Sequence, residues 1–216
     1  MGEQVIDSPM KGLATDSVGQ RTRQVMKKIV PVAVSIILFL VGPSYAARFD
    51  MWETGMDINE VVAMARKHNI PIARSGVYHS YKGFDQKLID DKFFKAPVLE
   101  YQTKIGELGS KVYLKLSDQP KQVYEIEVGI YGIKDREQFL EEMLGILKQK
   151  YGPYRERKEI VYHYFEWNPD KTSQITLRMS SGQASVFYTD PRMKQVVEAK
   201  KKEKEVDAIR KDGKKF

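Results

Sequence analysis

The chain has 216 residues, with 36 basic and 29 acidic side chains, a formal charge of +7 and no cysteine. The lack of cysteine excludes a lipoprotein anchor, thiol redox chemistry, a catalytic thiol and cysteine-ligated zinc, and leaves the hydrophobic core to hold the fold without disulfides. The net charge misdescribes the body: residues 47–190 carry 21 basic and 21 acidic side chains, and most of the excess sits in 191–216, with 10 and 5. A neutral body with a basic tail argues against a reader of nucleic acid.

Residues 1–25 are polar and lack an apolar period, so they read as a disordered extension or a start assigned too early. A compact leader would begin at Met26. Lys27 and Lys28 precede an uncharged Val/Ile/Leu run that breaks at Gly42-Pro43 and reaches Ser44-Tyr45-Ala46. This is the layout of a secretory signal peptide over 26–46, cut after Ala46. The competing reading is an uncleaved anchor over 29–47 in the inner membrane, although a span takes about 20 apolar residues and the strongly apolar part ends at Val41. Under both readings the basic residues hold the N-terminal side in, and the body lies outside the cytoplasm, in the periplasm if the leader is cut.

The first helix is expected from Asp57, whose side chain caps it while Glu60 answers as in a capping box. Val61, Val62, Met64 and Ala65 give its apolar face, and Asn69 before Ile70-Pro71 ends it. Residues 73–97 read as an ordered loop with a short strand near Gly76–Tyr81. Its aromatic residues pack under the domain or form a lid over a pocket.

Strands follow at Val98–Ile105, Ser110–Leu116 and Gln122–Tyr131. Their alternation puts Leu99, Tyr101, Val112, Leu114, Ile126 and Val128 on one face in a single hairpin register. The other face collects Glu100, Lys104, Lys111, Lys115, Glu125 and Glu127. Glu125 and Glu127 lie about 7 Å apart along the strand; with lysines opposite, cross-strand ion pairs explain them better than glycosidase chemistry does.

A helix from about Asp135 to Lys150 buries Phe139, Leu140, Met143, Leu144 and Leu147, and Gly152-Pro153 stops it. Strands are then expected at Ile160–Trp167, Thr172–Met179 and Ala184–Thr189, with turns at Asn168–Lys171 and Ser180–Gln183. Asp190-Pro191 opens a last helix.

The strand starts 98, 110 and 122 recur at 160, 172 and 184, a constant shift of 62 residues. The expected fold is therefore α+β: tandem αβββ units over 47–134 and 135–190, each meander sheet covered by a helix, plus a basic C-terminal helix over 191–216.

Gly55-Met56-Asp57 leading into Glu60-Val61 resembles the opening motif of the small lipoprotein subunit of the outer-membrane β-barrel assembly machine. The tandem helix-plus-three-strand order is similar to that of the β-lactamase inhibitor protein. The resemblance implies exported domains that bind other proteins through a sheet face; the lipid tether of the lipoprotein is contradicted by the missing cysteine.

No phosphate loop or nucleophile elbow occurs, and His68, His79 and His163 are too scattered for a metal motif. No catalytic residue, metal or cofactor is expected. In the second sheet, Tyr162, Tyr164, Ile175, Leu177, Val186 and Tyr188 are expected under the helix. Val161, His163, Phe165, Trp167, Arg178 and Phe187 then form an aromatic face toward a partner, an envelope protein or a cell-surface polymer. Lys200, Lys201, Lys202 and Lys204 are candidates for contact with an anionic membrane surface, against the plainer reading of a solvated helix. The leading expectation is thus an exported binding protein. The alternative is an enzyme or small-ligand binder that uses 73–97 as a lid.

Overall fold

A computed structural model describes residues 46–77 and 82–213. The extension expected over 1–25 and the leader expected over 26–46 lie outside the described residues, apart from Ala46. Among the described residues no helix is long and apolar enough to cross a membrane.

The elements are β1 (Arg48–Phe49), β2 (Trp52–Glu53), α1 (Ile58–Lys67), β3 (Ala73–Arg74), α2 (Asp91–Lys95), β4 (Val98–Ile105), β5 (Leu108–Leu116), β6 (Val123–Tyr131), α3 (Arg136–Tyr151), β7 (Arg155–Lys158), β8 (His163–Trp167), β9 (Gln174–Met179), β10 (Gln183–Thr189) and α4 (Pro191–Gly213). The fold is mixed α+β with antiparallel sheets of two and eight strands and a C-terminal helix.

Local chemistry explains the helices. Asp57 Oδ1 accepts from the backbone N–H groups of Asn59 and Glu60 at 2.7 and 3.0 Å, and Glu60 Oε2 accepts from Asp57 N at 2.8 Å. That reciprocal box starts α1, and Ile58, Val61, Val62 and Ala65 then fall on its buried side. In α3, Asp135 caps Gln138 and the buried residues are Phe139, Met143 and Leu147, four apart. Gly152, at φ 82°, ends the helix in a conformation that L side chains seldom adopt, and its carbonyl accepts from Trp167 Nε1 at 3.1 Å.

The large sheet has the order β3-β4-β5-β6-β10-β9-β8-β7. The two meanders, β4–β6 and β8–β10, are joined edge to edge, because β6 pairs with β10 and Val128 stands opposite Val186. The expectation of two separate sheets is corrected here. Joining the third strands satisfies two edges that separate sheets would leave unpaired. One core cluster, including the buried residues of α1 and α3, runs through both halves.

The outer edges add two strands. A short one, β3 (Ala73–Arg74), pairs with Glu100 and Leu99; the strand expected near Gly76–Tyr81 falls mostly outside the described residues. Beyond Gly83 the loop turns inward: Phe93 of α2 is fully buried, so the described part of 73–97 contributes to the core. At the far edge β7 is a strand that the alternation did not announce. Its four residues Arg-Glu-Arg-Lys are all exposed, charges that discourage pairing with another chain.

Candidate binding face on the open side of the sheet

The alternation of β4, β5, β6, β9 and β10 sends Leu99, Val112, Val128, Leu177 and Val186 into the core, as expected. The strand β8 is set the other way. Asp170 accepts hydrogen bonds from the backbone N–H and Oγ1 of Thr172 at 2.6 and 2.7 Å, and Thr172 and Ser173 are buried. The connection therefore continues past Lys171, β9 begins at Gln174, and Trp167 pairs with Ile175 and Phe165 with Leu177. An odd shift in register exchanges the two faces of a strand.

The six residues expected to face a partner are consequently split. Phe165 and Trp167 are core residues, 2% and 0% exposed. His163 packs against Phe165 with ring centroids 4.2 Å apart and shares a hydrogen bond of 2.7 Å with Glu156. Val161 is exposed in the turn between β7 and β8. Arg178 and Phe187 do share the open face, where Tyr162 and Tyr164, expected in the core, join them.

The register defines the face in rows. One row crosses seven strands as Glu100, Tyr113, Glu127, Phe187, Thr176, Glu166 and Arg155. The next runs Gln102, Lys111, Gly129, Ser185, Arg178, Tyr164 and Arg157. The first half is the more ionic: Lys111 pairs with Glu100 at 2.8 Å, and Lys115 with Glu125 and Glu127 at 2.6 and 3.0 Å. These are the cross-strand pairs that the alternation predicts, but Glu100 and Glu125 are buried rather than wet.

In the second half cations stack on rings. Phe187 has Arg178 4.8 Å and Lys115 5.5 Å from its centroid, and Glu127 pairs with both cations, at 3.5 Å to Arg178. Arg178 also reaches Tyr162 at 5.2 Å, and Arg157 lies 4.3 Å from the centre of Tyr164. A cation within about 6 Å of a ring centroid is attracted to its π face. The result is a surface of alternating guanidinium, aromatic and carboxylate groups whose side chains hold one another in place.

Gly129 is the gap in this lattice. Tyr131 lies across it, so near that an added Cβ would come 2.6 Å from the phenol oxygen. Burial and the hydrogen bond with Tyr113 push the Tyr131 hydroxyl up to about 12, so it is a neutral hydrogen-bonding group at ordinary pH.

α4 does not cover this surface. It leaves β10 through Asp190, whose carboxylate accepts from the backbone N–H groups of Arg192 and Met193, and is tied to β6 where Lys194 reaches Glu125. Of the four tail lysines, Lys200 donates to the carbonyl of Gln119 at 3.3 Å and Lys204 pairs with Asp118, while Lys201 and Lys202 are exposed. Among the described residues no three His, Asp or Glu side chains converge to hold a metal.

Sequence reasoning missed Tyr162, Tyr164 and Arg157. The signal available was the Asp170-Lys171-Thr172 turn, whose side-chain bonds lengthen the connection. Comparisons with family models, with curated proteins and with solved structures find no match to this chain.

Proposed function

We propose that this chain is an exported, non-enzymatic protein of the cell envelope that binds another protein through the open face of β8, β9 and β10. The observation that carries the reading is the Arg178–Phe187–Lys115 stack with Tyr162 and Tyr164 beside it, partly exposed and left uncovered by α4. Arginine and tyrosine are the residues in which interface hot spots are enriched, and ring surface already fixed in place costs little entropy to dock. The paired charges set the orientation of the partner and penalise a mismatched one. The Lys27–Ala46 pattern supports export, with the body in the periplasm if the leader is cut.

A photo-crosslinking side chain placed at Phe187 in intact cells tests the reading. It is expected to capture one discrete protein, and the same probe at Lys148, exposed on α3 behind the core, is expected not to. Arg178→Ala should abolish the capture while the chain stays folded, at a stability cost of about 1 kcal/mol or less. Capture of a saccharide polymer, no adduct at Phe187, or the same adduct from both positions would contradict it.

A further inference from the structure

A second feature lies away from that face. Between α4 and the ends of β4, β5 and β6 runs a groove of about 760 Å³, within the roughly 300–1,000 Å³ typical of small-ligand sites. Its sheet side is built from Val98, Leu116, Pro120 and Tyr124, and its helix side from Met193, Val196 and Val197. Val196 is 55% exposed, an apolar side chain turned to an apolar trough that no described residue fills.

The helix is clasped at both ends of this trough. Lys194 is tied to Glu125 at 2.6 Å, and ten residues on, Lys204 is tied to Asp118. At the α-helical rise these clasps are about 15 Å apart along the axis. They hold α4 beside the sheet without closing the space between them. The lining is also polarised: Lys200, Lys201 and Lys204 gather at one end, and Lys121 stands next to that end. Of the carboxylates there, Asp118 is ion-paired with Lys204 and also feels the charge of Lys200, whose ammonium donates to the Gln119 carbonyl at 3.3 Å.

We propose that this groove binds one long-chain anionic amphiphile, a fatty carboxylate, with the chain between Leu116 and Val196 and the head group at Lys200 and Lys201. The apolar walls account for the chain, and the clustered ammonium groups for the sign of the head group. A flat anionic membrane surface would use the lysines without the trough, so the two occupants make different demands on Val196.

The test is titration of the full mature chain with hexadecanoate below its micelle concentration, followed by native mass spectrometry and calorimetry. A one-to-one complex is expected, with hexadecanol and hexadecyltrimethylammonium binding at least about tenfold more weakly. Val196→Asp, at an exposed helical site, should weaken hexadecanoate at least about tenfold by placing a charge against the chain. Lys200→Glu with Lys201→Glu should do the same and should reverse the preference toward the cationic amphiphile. Equal binding of all three amphiphiles, or insensitivity to both variants, would overturn the proposal. Binding to anionic vesicles that Lys200→Glu and Lys201→Glu abolish but Val196→Asp leaves intact, without the one-to-one complex, would overturn it in favour of a membrane-surface tail.

Discussion

Lys194 Nζ stands 2.6 Å from Glu125 Oε2, joining the first turn of α4 to the central strand β6 across 69 residues of sequence. The same oxygen accepts from Thr189 Oγ1 at 3.1 Å, and the other carboxylate oxygen meets Lys115 at 2.6 Å. Glu125 is buried, and every one of these partners acts on its charged form.

Burial would by itself raise the Glu125 carboxyl, but Lys115 and Lys194 outweigh it and hold the group below the ordinary carboxylate range. A depressed folded value means that the stabilisation is present above the unfolded pKa, about 4.3 for Glu, and is lost as pH falls through the folded value beneath it. Glu100 adds to the same trend: burial raises it, and hydrogen bonds with Lys111 and Ser75 lower it further than burial lifts it. Denaturant melts from neutral to acid pH should show a fall in stability below about 4.3. Glu125→Gln should flatten that fall and cost about 1–3 kcal/mol at neutral pH, since a buried ionic hydrogen-bond partner is lost. An unchanged acid limb would show that the pair contributes nothing.

The register of β8 makes a sharper prediction. Phe165→Ala and Trp167→Ala should each destabilise the fold by about 3–5 kcal/mol, as large-to-small changes in a packed core do. Tyr164→Ala and Phe187→Ala, on the open face, should cost about 1 kcal/mol each or less, mostly through lost cation–ring contact. Equilibrium unfolding of the four variants decides the matter, and the reverse ranking would mean that the strand faces the other way.

The contrast between β4–β6 and β8 shows what the sequence makes legible. Val98–Ile105 shows in its alternation because Leu99 and Tyr101 are apolar while Gln102 and Lys104 are not. In β8 both faces are aromatic, so the pattern His163-Tyr164-Phe165-Glu166-Trp167 allows either orientation. What decides is the Asp170–Thr172 bonding, a local turn signal that lengthens the connection, and with it the pairing of Trp167 with Ile175. The union of β6 with β10 was hidden for a different reason: the turns between neighbouring strands are local in sequence, whereas that pairing is not. The charges of β7 read as loop because nothing in Arg-Glu-Arg-Lys alternates. The helix starts at Asp57 and Asp135 were legible because their capping chemistry is local. Of the candidate face, Arg178 and Phe187 were legible and the tyrosines were not.

A buried polar contact helps to anchor the small β1–β2 hairpin. Trp52 is fully buried, and its Nε1 donates to Tyr101 Oη at 2.8 Å. Burial raises the Tyr101 hydroxyl well above its ordinary range, so it stays protonated. Tyr101→Phe would remove the acceptor and leave a buried indole N–H unsatisfied, at about 1–3 kcal/mol. Thermal unfolding of that variant, with Trp52 fluorescence as a local probe, should show the loss. Full retention of stability would mean that the contact is neutral.

The leader pattern predicts a mature chain that begins at Ala47. In the structure Ala47 is buried, with its N–H donating to Thr54 Oγ1 at 3.0 Å and its carbonyl accepting from Thr54 N at 2.9 Å. N-terminal sequencing of protein recovered from the periplasm should give Ala47-Arg48-Phe49. A blocked or longer N-terminus in the membrane fraction would favour the retained anchor.

The proposed binding of a protein partner by the open face of β8–β10 stands or falls on the affinity of purified Arg178→Ala and Phe187→Ala for the protein captured at Phe187. Each is expected to weaken binding at least about tenfold, as central anchor residues do, while Lys148→Ala binds as the parent chain does and all three stay folded, losing no more than about 1 kcal/mol of stability. Unchanged affinity in the folded Arg178→Ala and Phe187→Ala variants would contradict it.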